Sequence, residues 1–406
     1  MHIHPILAAL WRNRTGAVLV SIQIAIALAV LVNATYVVKQ RVDKINRPSG
    51  VDVENIIAVE SQGFSTSYDH EATLRADLEY LRSVPGVVAA TPVSSFPFGG
   101  SGSATGLSSD PEPTADNTQP ANYIEVDHDF IRALGLKLIA GRGFEASEIA
   151  PSRDPRKSQD FVPQIIVTDA FAKALFPDGN AVGRVVYDYM KQPATIIGVV
   201  ERMHGPWVSW DKVDHVFFMP RLPYPYGPIA RYIVRTEPGQ LQNVLRTIEQ
   251  HMSTSNPDRL VNNVRPLQHY KDRSYLADRN MAIFLVSVTA VLIAVTLLGI
   301  FGLATFSVST RTKQIGTRRA VGARRRDIIR YFLVENSFIT TAGVIVGCAL
   351  ALGLGYWLSV TYKLPRLDLY YLVAGVLVLW GLGQLAVWQP ARRAASISPA
   401  IATRTV

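Results

Sequence analysis

The sequence predicts a membrane protein: four transmembrane α-helices, with a large α+β domain inserted between the first and the second. Three observations carry this reading. Four apolar stretches reach the roughly 20 residues that a helix needs to cross a bilayer core. Residues 39–280, between the first two stretches, have the strand and helix patterns of an ordinary folded domain. The composition also fits neither extreme. With 48% hydrophobic and 18% charged residues among 406 and a mean hydropathy of +0.16, the chain is apolar for a soluble protein and too polar for one embedded throughout.

The first element is residues 1–38, an N-terminal segment and a first span with no charge from Gly16 to Val38. Arg12 and Arg14 precede it, and Val32-Asn33-Ala34 loosely resembles a cleavage site. The apolar run is longer than a secretory h-region, so an uncleaved anchor is expected. In residues 39–280, Val53–Glu60 reads as a buried strand. A helix follows with Leu74, Leu78 and Leu81 on one face, ended by Pro85-Gly86, and then a second strand. The same order recurs near the end of the domain. There Ala230–Glu237 is strand-like, Leu241, Val244, Leu245, Ile248 and Met252 share a helical face, and "LVNNVRPL" is again a strand. Two βαβ units, early and late, predict one α+β subdomain interrupted by a mostly-β insertion. The insertion opens with Ser94–Pro120, whose Gly, Ser and Pro content reads as a mobile loop or linker. Trp207, Trp210, Tyr224 and Tyr226 stand in or beside a Pro-rich stretch; core of an irregular lobe is the favoured reading over a partner surface.

The remaining spans are residues 281–306, 337–360 and 369–388, separated by a connection at 307–336 and followed by a tail at 389–406. Eight of the twenty residues from Arg311 to Arg330 are Lys or Arg. Arginines also mark the N-terminus and the tail (Arg392, Arg393, Arg404), whereas Lys363 and Arg366 of the last turn are opposed by Asp368. The positive-inside rule therefore places both termini and the arginine connection in the cytoplasm and residues 39–280 outside. This location of the +9 formal charge points to membrane topology and anionic lipid, not to nucleic acid. Small residues recur every four positions: Ser21, Ala25, Ala29 and Asn33 in the first span, Gly343, Gly347, Ala351 and Gly355 in the third. Such stripes let helices approach closely in lipid, within one chain or between chains. Glu335, beside the third span, is expected to snorkel or to pair with an arginine.

Catalytic signatures are missing. The chain has no G-x-x-x-x-G-K-[ST], no G-x-S-x-G and no H-E-x-x-H, and its eight histidines form no zinc-ligand spacing with one another or with Cys348. The single cysteine allows no disulfide within the chain. No catalytic, cofactor-binding or metal site is expected.

At Leu297–Asn336 the residues resemble the signature of FtsX-like permeases of the MacB type. Arg311, Thr312, Ile315, Gly316, Arg318, Ala320, Gly322 and Ala323 match the family pattern Arg-Thr-x-Glu-Ile-Gly-x-Arg-x-Ala-x-Gly-Ala. Pro390, Ala391, Arg392, Arg393, Ala394 and Pro399 resemble its closing segment. Leu134–Phe144, Ile166–Val186 and Thr195–Gly205 resemble parts of the MacB-like periplasmic core domain.

The resemblance implies the permease subunit of an ABC exporter in a bacterial inner membrane, with residues 39–280 in the periplasm. Its arginine-rich connection would hold a short coupling helix docked on a separate ABC ATPase, which binds the ATP and Mg; this chain would hold no cofactor. Ile315, Gly316, Arg318, Arg319, Ala320, Val321, Gly322 and Ala323 are the expected coupling residues. Implied partners are that ATPase, a second permease chain (identical or not), membrane lipids, and in export systems a periplasmic adaptor and an outer-membrane channel. The motion would pass from the ATPase through the membrane helices to the periplasmic domain. A Lol-like lipoprotein-releasing permease and an FtsX-like regulator of periplasmic partners remain alternatives, though residues 39–280 are much longer than the external domain of the latter. The sequence departs from the family at Gln314, where Glu is common, and at Thr403, where Leu is usual. Losing that carboxylate removes a charge-assisted contact of about 1.5–3 kcal/mol if desolvated.

Overall fold

The computed structural model describes residues 14–153, 161–224, 229–362 and 367–398. Arg12, Tyr226, Lys363, Arg366, Pro399, Thr403 and Arg404, which entered the expectations above, lie outside the described residues. The chain divides into two compact units: Arg47–Leu276, and the segments on either side of it.

Helix α1 (Arg14–Ile45) leads into the globular unit. Its first subdomain uses both ends of the segment: β1 (Ile56–Gly63), α2 (His70–Ser83) and β2 (Val87–Pro92) come early. The sheet order β11-β1-β10-β2 is antiparallel throughout and interleaves these with two late strands, β10 (Ile229–Thr236) and β11 (Arg259–Pro266). Val59 sits opposite Tyr232 on one side and Val264 on the other. Period-2 alternation sends Ile57, Val59, Ala90, Tyr232 and Val234 to one face. There they bury Leu74, Leu78 and Leu81 from α2 with Val244, Ile248 and Met252 from the late helix at Leu241–Ser255. Asp69 caps α2 by accepting from the Ala72 N–H at 3.0 Å. One ion pair lies within this core: Arg259 donates to Asp77 at 2.5 Å, and the Tyr232 hydroxyl donates to the same carboxylate oxygen at 2.8 Å. This is the split βαβ arrangement expected from the repeated element order.

The insertion is a second, seven-stranded sheet. Its strands are β3 (Ser103–Ser108), β4 (Thr118–Val126), β5 (Leu138–Gly141), β6 (Gln164–Thr168), β7 (Val185–Tyr187), β8 (Pro193–Val200) and β9 (Val216–Pro220). The order β5-β8-β6-β9-β4-β3-β7 closes on itself because β7 also pairs with β8, so six strands form a small barrel and β5 extends it. Two short helices intervene, α3 (Phe130–Leu134) and α4 (Asp169–Leu175), and α5 is the late helix Leu241–Ser255 already described. Phe171 and Leu175 from α4 join Ile165, Val167 and Phe217 in the barrel's packed end.

The stretch Ser94–Pro120 departs from its linker reading. It contains β3 and the start of β4, and Ser95, Phe96 and Phe98 are buried. Small residues are tolerated there because β3 pairs with β4 along its whole length, from Ser103 opposite Tyr123 to Ser108 opposite Thr118. Trp207 and Trp210 are half-buried and meet edge to face at 6.2 Å, with the Trp207 indole N–H donating to the Gly100 carbonyl at 3.1 Å.

After the short helix α6 (Leu267–Ser274) come α7 (Leu276–Thr310), α8 (Thr312–Ala320), α9 (Arg325–Tyr362) and α10 (Leu369–Ala395). Helices α1, α7, α9 and α10 are long and apolar enough to cross a membrane. Each runs past its apolar span, because a helix satisfies its own backbone in water as well as in lipid. Helix α10 continues through Pro390, whose ring is buried.

The stripes of small residues on α1 and α9 face each other. A Cβ on Gly343 would lie 2.7 Å from the Ser21 carbonyl oxygen, and one on Gly347 would lie 3.0 Å from that of Ala25. Gly355 packs beside the Asn33 side chain, while Ala351 and Ala29 are buried. Two side-chain bonds lock the approach. Ser21 Oγ donates to the Ile339 carbonyl at 3.1 Å, and Asn33 Nδ2 to that of Ala351 at 3.1 Å. Helices α9 and α10 are joined similarly, with Asn336 donating to the Gly383 carbonyl at 3.1 Å and Gln384 to Ser337 at 3.1 Å. Beyond the spans, Asp278 of α7 is buried and takes both Arg41 and Lys44 of α1, the latter at 2.8 Å.

Candidate coupling site

The segment Arg311–Ala323 forms a short helix and a tight stop between two long ones. Helix α8 ends in a Schellman motif: the Ala323 N–H bonds to the Arg318 carbonyl at 3.0 Å and the Gly322 N–H to that of Arg319 at 3.2 Å. This geometry needs a left-handed residue, and Gly322 supplies it with φ +106° and open space around its Cα. The next helix starts at once. Asp327 accepts from the Arg324 N–H at 2.9 Å, while its own N–H returns to the Arg324 carbonyl at 3.0 Å.

The eight expected coupling residues divide by direction. Ile315 and Gly316 are buried, and Ile315 belongs to the cluster that contains Ile328 and Phe332 of α9 with Ala391 and Ala394 of α10. Arg319 also turns inward, donating to the carbonyls of Ala395 at 3.1 Å and Ile397 at 2.7 Å. Those acceptors lie at the end of α10 and just past it, so the guanidinium caps that helix. Arg318 is exposed but lies over the Tyr331 ring, 5.0 Å from its centroid. Ala323 is half-buried against the same cluster. What remains outward is Ala320, Val321 and Gly322, flanked by Lys313, Gln314 and Thr317; Val321 is 84% exposed. This open apolar side chain stands on a tight turn with Arg318 and Arg319 before it and Arg324, Arg325 and Arg326 after it.

Sequence reasoning left Arg311 out of the coupling set and Glu335 out of any site. The structure pairs them: Arg311 Nη1 donates to Glu335 at 3.0 Å and to the Tyr331 hydroxyl at 3.2 Å. Both charged side chains are mostly buried, at 16% and 9% exposure. The pair ties the start of α8 to the second turn and beyond of α9. Of the two outcomes expected for Glu335, snorkelling or pairing with an arginine, the structure shows the pairing, with an arginine 24 residues away.

Four long apolar helices, a large inserted α+β domain and a short helix braced against two of the long helices are the architecture of a membrane protein with a large domain outside its spans. A family model for the MacB-like periplasmic core domain matches residues 15–252, and one for the FtsX-like permease C-terminal region matches residues 286–399. The chain belongs to the MacB-like ABC transporter permease family. Relatives include the macrolide export ATP-binding/permease proteins MacB of Chromobacterium violaceum and Acinetobacter baylyi. The first is 28% identical over 69% of this chain and 42% of its own length. The second is 25% identical over 96% and 57%. The chain thus spans about half the length of the curated relatives it matches. Among solved structures, the periplasmic region of MacB from Actinobacillus actinomycetemcomitans aligns with 57% of this chain and 97% of its own, at 16% identity and a TM-score of 0.35.

Proposed function

We propose that this chain is the permease subunit of a MacB-type ABC exporter and that α8 is its coupling helix. It receives motion from a separate ABC ATPase, which binds ATP and Mg, and passes it through the membrane helices to the periplasmic domain. In this reading the chain sits in a bacterial inner membrane with both termini in the cytoplasm. It works with a second permease chain, and with a periplasmic adaptor and outer-membrane channel where the substrate leaves the cell. The chain itself supplies leverage and no catalysis.

The observation that supports this most is the division of faces on α8. One side is bolted to α9 and α10 through Ile315, Arg311–Glu335 and Arg319, and the other presents Val321 to solvent. A push on the outer face would be delivered to two long helices rather than absorbed by a loose loop. The Arg41/Lys44–Asp278 cluster ties α1 to α7 beyond the spans.

Val321→Asp tests the assignment. The substitution places a charge on the docking face without touching the buried cluster. Expected is loss of ATPase co-purification and stimulation with membrane insertion and unfolding temperature unchanged. An ATPase that still binds and is stimulated normally would refute the coupling assignment. Val321 is preferable to Gly322 for this purpose, because any side chain at Gly322 strains a φ of +106° whatever it does to docking.

A further inference from the structure

The basic side chains at α8 have unequal surroundings. Arg311 and Arg319 are turned inward, onto Glu335 and onto the carbonyls of Ala395 and Ile397. Arg318 is exposed, yet its guanidinium is held: it lies 5.0 Å from the centroid of the Tyr331 ring, within reach of a cation–π contact. Among the described residues no carboxylate pairs with it. Gln314 stands one helical turn before Arg318, and both line a shallow cleft with Tyr331. A Glu at that spacing would pair with Arg318 along the helix. The neutral amide leaves the charge available.

The ring under Arg318 is itself fixed. Its hydroxyl accepts from Arg311 Nη1 at 3.2 Å, and the same nitrogen donates to Glu335 at 3.0 Å. Phe332, which is buried, meets it edge to face at 5.5 Å. Glu335 offsets the charge of Arg311, so one tyrosine can hold an arginine at its hydroxyl and a second over its face with reduced repulsion between them. A continuous set of contacts thus runs from a buried carboxylate to an exposed guanidinium.

We propose that Arg318 receives a carboxylate of the ABC ATPase and that Tyr331 is its positioning residue. This rests on the reading of α8 as the docking helix. A loose arginine loses rotamer freedom when a partner fixes it, which weakens binding. Placement over a fixed ring removes part of that loss in advance and leaves N–H donors for a carboxylate. Arg324, Arg325, Arg326 and Arg330 are exposed too, but among the described residues none of them lies over a ring, so the geometry singles out Arg318.

The test is the affinity of the full chain, in lipid-free detergent micelles, for the ABC ATPase that co-purifies with it, with Val321→Asp as the reference. Expected is at least about a tenfold loss with Arg318→Ala, the loss of one charge-assisted contact. Tyr331→Leu should weaken binding about threefold, and Tyr331→Phe, which keeps the ring, far less. In the Arg318→Ala background Tyr331→Leu should add nothing, which a merely structural tyrosine would not give. Gln314→Glu should weaken binding by supplying Arg318 with a carboxylate of its own. Thermal unfolding checks that each variant is folded. Normal binding of Arg318→Ala beside a failed Val321→Asp would overturn the proposal and leave α8 as the docking helix. Normal binding of both would refute the docking reading and this one with it. Additive losses from Arg318→Ala and Tyr331→Leu, or unchanged binding of Gln314→Glu, would also overturn it. A loss with Arg318→Ala that appears only after phosphatidylglycerol is added would assign the guanidinium to a lipid headgroup instead.

Discussion

Adjacent arginines on α8 have different tasks because 100° of helical rotation separates them. Arg319 reaches inward to cap α10 through the Ala395 and Ile397 carbonyls, while Arg318 stays outside over Tyr331. Arg311 has a third role as one half of a mostly buried ion pair with Glu335. Removing one partner of such a pair leaves a desolvated charge, at a cost of about 3–5 kcal/mol, whereas replacing both with apolar groups is far milder. Glu335→Leu alone should therefore lower the thermal unfolding temperature in detergent, and Arg311→Met added to it should restore most of the loss. If the double variant unfolds no later than the single one, the pair does not hold α8 to α9 as described. Gln314 is exposed, so the carboxylate common in the family at this position is not part of this chain's buried packing.

At the scale of elements, α1 and α9 approach closely within the membrane unit. Polar bonds in such interfaces contribute only ~0.6 kcal/mol each on average, so the packing of small residues carries most of the contact. Gly347→Leu forces side-chain atoms into the Ala25 carbonyl and Leu28, and overpacking of this kind costs about 1–3 kcal/mol. Gly353→Leu on the same helix meets open space and serves as the control. Thermal unfolding of the two variants should differ in that direction; equal stability would mean that the stripes touch without mattering. The stripes were legible as periodicity in the sequence, although only the structure shows that they belong to one chain. The direction of each α8 side chain was not legible, because Ile315 and Arg319 acquire their partners from α9 and from the end of α10 and just past it, the latter far away in sequence. Ser94–Pro120 misled for a related reason: β3 is held by pairing with β4, and its own composition carries no strand signal.

For the whole molecule, hydropathy and charge were enough to read four spans around an α+β domain, and element order was enough to read its interrupted βαβ pair. Barrel closure was not readable, since it depends on the three residues of β7 meeting both β8 and β3. The chain enters the globular unit from α1 and leaves it into α7, and α8 belongs to the other unit. We propose that α8 offers its outer face, and not its inner one, to an ABC ATPase. A photo-activatable cross-linker attached to a single cysteine tests this directly, because Cys348→Ala removes the only native thiol. In that background, Val321→Cys is expected to cross-link to the ATPase in membranes carrying both proteins, and Ile315→Cys to give no such product. Cross-linking at position 315 alone, or at neither position with both proteins assembled, would contradict the account.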